Sequence, residues 1–194
     1  MSQRCPAYVL AGGRSRRLGQ DKARVEIAEG ITVLEAVVDS LDGGFSSWTV
    51  VADRRDKFAD LGFRTIADER PHQGPLGGIL RAAEDLQTGS FFVTSCDRVG
   101  LQSGWVERLW EAMDDECLAI SFVFEGRREP LFALYRAEVA DRLRAFMDAG
   151  GRAVWRFLEL VDAPEIDAPA GWEDTISVNT PEQLQGARRW FSGK

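Results

Sequence analysis

The sequence predicts an α/β fold: a mostly parallel sheet with helices on both faces. Two observations carry this. Apolar runs rich in valine, phenylalanine and isoleucine recur along the chain, as strands buried on both faces require. Most are separated by helix-length segments with helical spacing, the connection a parallel sheet needs.

In chain order, the first strand is AYVLA at 7–11, ending on the glycine pair Gly12–Gly13. Thr32 and Glu35, three residues apart, make a capping box that opens a helix through about Leu41. Strands follow at 48–52 (WTVVA) and 63–67 (FRTIA), then a helix at 77–87, a strand at 90–95 (SFFVTS) and a helix at 103–113. Strands at 118–124 (LAISFVF) and 130–135 (PLFALY) precede helices at 137–148 and 152–160. The short Pro/Ala-rich stretch DAPEIDAPAG at 162–171 reads as a surface loop. Thr180 as N-cap, Pro181 at the first helical position and Gln183 at the capping-box position open a last helix ending near Trp190.

No repeat, linker or low-complexity segment interrupts this pattern. With 194 residues, 44% of them hydrophobic, the chain is read as one domain, 1–194. No stretch approaches the roughly 20 apolar residues of a membrane span, and MSQRCPAYVLAGG lacks the apolar run of a secretory signal, so a cytoplasmic protein is expected. Cys5, Cys96 and Cys117 are odd in number and widely spaced, as reduced packing thiols would be. A formal net charge of -7 argues against general binding to nucleic acid. An anionic ligand must therefore be met locally.

The local candidate is VLAGGRSRRLGQDKARV, Val9 to Val25, which gathers Arg14, Arg16, Arg17, Lys22 and Arg24 around Asp21 just behind Gly12 and Gly13. In an open α/β sheet the first strand-to-helix turn is the usual phosphate cradle, and glycines let backbone N–H groups approach an anion. A tight turn with a solvated charge run fits the same residues. A P-loop is excluded, because five residues separate Gly13 from Gly19 and Gln20 follows; the G-x-G-x-x-G fingerprint is absent too. Asp68 and Asp97 each follow a predicted strand and would share the rim with the glycines, as magnesium ligands or as turn and cap residues. His72 reads as a loop residue, Cys96 as small and buried, and Trp155 and Phe157 as core.

LAGGRSRRLGQDKA resembles the signature L-A-G-G-x-S-x-R-M-G-x-D-K of the molybdenum cofactor guanylyltransferases, with Leu18 for the methionine. DERPHQGPLGGI, SCDRV, EPLFALY, GGRAVWRFLE and VNTPEQL resemble further segments of that family in order, spanning positions 10 to 184. The resemblance implies a Rossmann-like nucleotidyltransferase fold and transfer of GMP from GTP to the terminal phosphate of molybdopterin or Mo-molybdopterin. Mg²⁺ would be the cofactor, and transient contacts with other molybdenum cofactor proteins are implied. It gives nucleotide contacts to Leu10, Ala11, Gly12, Gly13, Lys22, Asp68 and Asp97, with Asp97 on the metal. Lys22, Asp97 and Arg16 would be catalytic, and Asn179 and Arg152 would lie on the pterin side. The chain departs from the family pattern at Val51, Val99, Ala153 and Ser177. Asp53 is a substitute for the missing guanine contact at Val51, or a helix N-cap before RRDKFADL. The rivals are a cytidylyltransferase acting on the same pterin, whose loop reads L-A-A-G, or another small-molecule nucleotidyltransferase, and a non-catalytic nucleotide-binding paralogue or adaptor.

Overall fold

The computed structural model describes residues 4–12, 21–70 and 73–193. Gly13, Arg14, Arg16, Arg17 and His72 therefore lie outside the described residues. The strands of the main sheet are β1 (Pro6–Leu10), β4 (Ser47–Ala52), β5 (Arg64–Ala67), β6 (Ser90–Ser95), β8 (Ala119–Phe124), β9 (Arg127–Arg136) and β10 (Glu165–Asp167). Two small ribbons join β2 (Glu26–Ala28) to β3 (Ile31–Thr32) and β7 (Arg98–Val99) to β11 (Ile176–Ser177). The helices are α1 (Val33–Ser40), α2 (Pro75–Leu86), α3 (Gly104–Ala112), α4 (Val139–Asp148), α5 (Val154–Leu160) and α6 (Pro181–Ser192).

The main sheet runs β10-β8-β9-β6-β1-β4-β5, and β9 alone is antiparallel to its neighbours. Successive residues of β1 serve opposite faces, as the two-residue pleat dictates. Ala7 packs with Phe92 and Phe132 beneath α1, α3 and α6, while Tyr8 packs with Phe91, Val93 and Tyr135 beneath α2, α4 and α5. On the first face Trp172 is 2% exposed and meets the rings of Trp105, Phe122 and Phe132. The expected capping boxes are both formed, Thr32 with Glu35 and Thr180 with Gln183.

Several local expectations are corrected. The stretch 162–171 contains β10, which adds to the sheet edge beside β8 because Glu165–Asp167 pairs in parallel with Ser121–Val123. Asp53 does not cap an α-helix: a turn and the short 3₁₀ segment Ala59–Leu61 follow, and Asp53 instead pairs with Lys57. Phe157 is core, but Trp155 is 46% exposed with the Arg156 guanidinium over its ring. Both sit on α5, yet only one of them faces the sheet.

Candidate active site

Four parallel strands deliver their carboxyl ends to one rim. Backbone bonds continue the ladder past the strand ends: Ala11 donates to Val51 (2.8 Å), Asp68 to Ala52 (2.7 Å) and Cys96 to Leu10 (3.3 Å). They hold Gly12, Asp53, Asp68 and Asp97 side by side, where a ligand binds an open α/β sheet. A cleft of about 900 Å³ opens there, lined by these four with Leu10, Lys22, Arg98, Glu129 and Ser177 among others. That volume lies at the upper end of small-molecule sites.

Two glycines of α2 let the helix start approach the rim. A Cβ on Gly78 would lie 2.9 Å from Leu10 Cδ2, and one on Gly77 would lie 2.9 Å from both carboxylate oxygens of Asp68. Asp68 thus seats its charge on the first turn of a helix, where unpaired N–H groups favour an anion. Its Oδ1 also accepts from Arg70 N at 2.9 Å, so the turn role and the rim position coexist.

Lys22 is the hub. Its Nζ donates to Asp97 Oδ2 at 2.5 Å and to Asn179 Oδ1 at 3.4 Å, gathering residues 157 positions apart in sequence. The pair is mostly covered, with side-chain exposures of 21% and 14%. Burial works against the ammonium, but the negative groups around it, Asp97 and Asp21 among them, outweigh burial and hold its pKa above the ordinary lysine value. Asp21 caps the 3₁₀ turn Lys22–Arg24 by accepting from Ala23 N, and it also meets Lys57 at 2.8 Å. Lys57 reaches Asp53 at 2.9 Å as well, and that bond holds the Asp53 carboxyl below its usual range. Arg24 is engaged away from the cleft lining: its guanidinium grips both oxygens of Asp60 at 2.7 Å and lies over Phe58.

The structure therefore brings together Leu10, Gly12, Lys22, Asp68 and Asp97, with Asn179 reached through Lys22. Ala11 is buried beneath the rim and offers backbone only. Gly13 and Arg16 lie outside the described residues. Arg152 is not brought to the cleft: its Nη1 donates to the carbonyls of Met147 and Gly151, closing the end of α4. Ala153 precedes α5 and is also off the lining. Ser177 does line the cleft, across the ribbon from Arg98, whereas Val99 is wholly buried. Cys96 is 1% exposed, and burial pushes its thiol up to about 12, so it serves packing.

Sequence reading passed over Arg98, Lys57 and Glu129. Arg98 lies 5.0 Å over the Trp172 ring and 3.1 Å from Glu129 Oε2. Their signal was faint, an arginine directly after a rim aspartate and an acid opening an apolar strand. No set of three or more metal-type side chains clusters among the described residues. The oxygen-only acids at the rim nevertheless fit Mg²⁺, which is commonly held by one or two carboxylates plus substrate phosphates.

Comparison with known proteins agrees with this architecture. Residues 7–164 match the MobA-like NTP transferase domain family. The chain is 30% identical to the molybdenum cofactor guanylyltransferase of Shewanella sediminis and 32% identical to that of Shewanella woodyi, covering 95% of this chain and 96% of each relative. Molybdopterin-guanine dinucleotide biosynthesis protein A of Archaeoglobus fulgidus superposes with a TM-score of 0.81 at 24% identity, over 97% of this chain and 100% of that one. CMP:2-keto-3-deoxy-manno-octonic acid synthetase in complex with CTP superposes with a TM-score of 0.74 at 14% identity, over 98% and 99%. At those identities the two structures speak for a shared nucleotidyltransferase fold. With a family match across most of its length and relatives of this similarity, the chain belongs to the MobA-like NTP transferase family.

Proposed function

We propose that the protein transfers GMP from GTP to the terminal phosphate of molybdopterin, with or without molybdenum bound, releasing pyrophosphate. The observation that carries this reading is the Lys22–Asp97 pair at the strand rim, beside Gly12 and bonded to Asn179. It supplies both signs of charge where a triphosphate would lie. The names of the relatives supply the nucleotide and the acceptor.

In the reaction an acceptor phosphate oxygen attacks the α-phosphorus of GTP, a new P–O–P linkage forms, and the bond to the β-phosphate oxygen breaks as its electron pair leaves with pyrophosphate. The nucleophile is already ionised at neutral pH, so no general base is assigned. What the protein must supply is positioning and charge neutralisation. Lys22 takes phosphate charge, the Gly12 turn offers backbone N–H groups, and Asp68 belongs to the nucleotide site at the head of α2. Asp97 would hold Mg²⁺, with substrate phosphates completing its shell. When bound, the metal would offset charge developing on the phosphates. Asn179 steadies Lys22 from the acceptor side. Gly13 and Arg16, which lie outside the described residues, are assigned phosphate contacts in this proposal on the sequence motif. A cytoplasmic setting and hand-over of product through transient contact with other molybdenum cofactor proteins complete it. No helix among the described residues is long and apolar enough to cross a membrane.

The test is to incubate the protein with Mg²⁺, molybdopterin and each of the four NTPs, and to identify any dinucleotide by mass. The guanine dinucleotide is expected. A cytosine dinucleotide would move the assignment to the cytidylyl reaction, and no product from any NTP would reject it.

A further inference from the structure

Among the described residues that line the cleft the cations are Lys22 and Arg98. The proposed reaction brings two anions together, the triphosphate and the acceptor phosphate, and like charges in one cleft must each be neutralised. Lys22 is taken up on the triphosphate side, where it meets Asp97. Arg98 is the next residue after Asp97, but β7 pairs with β11 so that it stands opposite Ser177, on the wall that β9 continues with Glu129, Pro130 and Leu131.

Its setting is rigid. The guanidinium lies 5.0 Å over Trp172, which is 2% exposed and fixed among Trp105, Phe122 and Phe132. One terminal nitrogen meets Glu129 Oε2 at 3.1 Å, while a guanidinium carries five donors in a planar fork matched to phosphate. Side-chain exposures of 23% for Arg98 and 22% for Glu129 leave the pair partly open to the cleft. An arginine stacked on a fixed ring, beside the metal-site aspartate, is held ready for an anion.

We propose that Arg98 binds the phosphate of the acceptor and sets it in line for attack, with Glu129 as the counter-ion it holds at rest and exchanges when the acceptor arrives. This rests on the nucleotidyl-transfer reading above. It adds a specific contact on the acceptor side. Glu129 then acts against premature or weakly charged ligands, since any occupant must compete with a carboxylate for the same fork.

The experiment compares wild type with Arg98→Met and Glu129→Gln, measuring KM for molybdopterin by dinucleotide formation and GTP affinity by calorimetry. Arg98→Met is expected to raise the acceptor KM about tenfold or more, as loss of a charge-assisted contact would, with GTP affinity within about twofold of wild type. Glu129→Gln removes the competitor and is expected to lower the acceptor KM about two- to fivefold. A pair that merely braced the wall would shift both variants the same way. Should Arg98→Met fail to fold, Glu129→Gln decides alone by the direction of its change. Wild type that makes no dinucleotide rejects the transfer reading and this inference with it. Wild type that turns over, with an unchanged acceptor KM in Arg98→Met or a raised one in Glu129→Gln, rejects the inference alone.

Discussion

Replacing Asp97 with asparagine should have opposite effects on GTP binding without and with metal. Asp97 Oδ2 lies 2.5 Å from Lys22 Nζ, so in the metal-free protein the carboxylate offsets the cation proposed to meet phosphate. Asp97→Asn keeps an oxygen that can accept from Lys22 and removes one negative charge from the rim. A phosphate charge about 5 Å from that position, at an effective dielectric of about 20–40, is repelled by about 1.5–3 kcal/mol. Relief of that repulsion corresponds to roughly ten- to hundredfold tighter binding in EDTA. With Mg²⁺ the order reverses, because the variant has lost the carboxylate that would hold the ion, and turnover should fall at least about a hundredfold. Lys22 keeps Asn179, and Asp21 remains nearby, so the fold should survive with a loss below about 2 kcal/mol. Calorimetry with EDTA and with Mg²⁺ reads GTP affinity, dinucleotide formation with Mg²⁺ reads turnover, and thermal melts read stability. Metal-free GTP binding that is weakened in Asp97→Asn, or Mg²⁺-dependent tightening that persists, would refute the placement of Asp97 at the metal and beside the phosphates.

Three further outcomes are expected. Lys22→Ala should weaken GTP binding by about tenfold or more while leaving guanosine nearly unchanged if, as proposed, the ammonium meets phosphate; equal losses in competition binding would contradict this. Gly77→Ala forces a methyl to within 2.9 Å of both Asp68 oxygens and 3.1 Å of the Arg70 carbonyl, so it should cost about tenfold in GTP affinity. Gly78→Ala meets only the flexible end of Leu10 and should cost less, a ranking that titration of the two variants checks. Asp85 accepts from the buried Tyr8 hydroxyl at 2.8 Å and from both terminal nitrogens of Arg64, and the Arg64 bond foremost holds its carboxyl below the usual range. Its stabilisation is therefore present above the unfolded carboxylate pKa and is lost as pH falls through the lowered folded value. Asp85→Ala should cost about 2–3 kcal/mol at pH 7, and urea melts should show the gap from wild type narrowing in acid; a gap independent of pH would remove the ionic part of the argument.

How much of this was legible in sequence depended on whether the cause was local. Strand continuity, both capping boxes and the rim positions of Gly12, Asp68 and Asp97 follow from nearby residues and parallel topology, and the structure has them. Contacts that close over long separations were not legible. The bond from Lys22 to Asn179 depends on how the chain returns to the rim, while the seating of Asp68 against Gly77, close in sequence, depends on how tightly the start of α2 packs on the strand end. Arg152 illustrates the opposite case: a motif position suggested a ligand contact, and in the structure the guanidinium is bonded to the Met147 and Gly151 carbonyls at the end of α4. Arg24 likewise belongs to the basic run in sequence but is claimed by Asp60 in space. The edge strand Glu165–Asp167 was hidden because three residues between prolines carry too little pattern to announce a strand.

If this cleft moves the α-phosphate of GTP, with its nucleoside, onto a phosphorylated pterin, a label on that phosphate must follow it. Two parallel reactions with Mg²⁺ and molybdopterin test it most directly, one with GTP labelled at the α-phosphate and one with GTP labelled at the γ-phosphate. The expected result is α-label in the pterin product in amounts equal to the pyrophosphate that carries the γ-label. Label in the pterin from the γ-position, or pyrophosphate release without α-label in a pterin product, would contradict it.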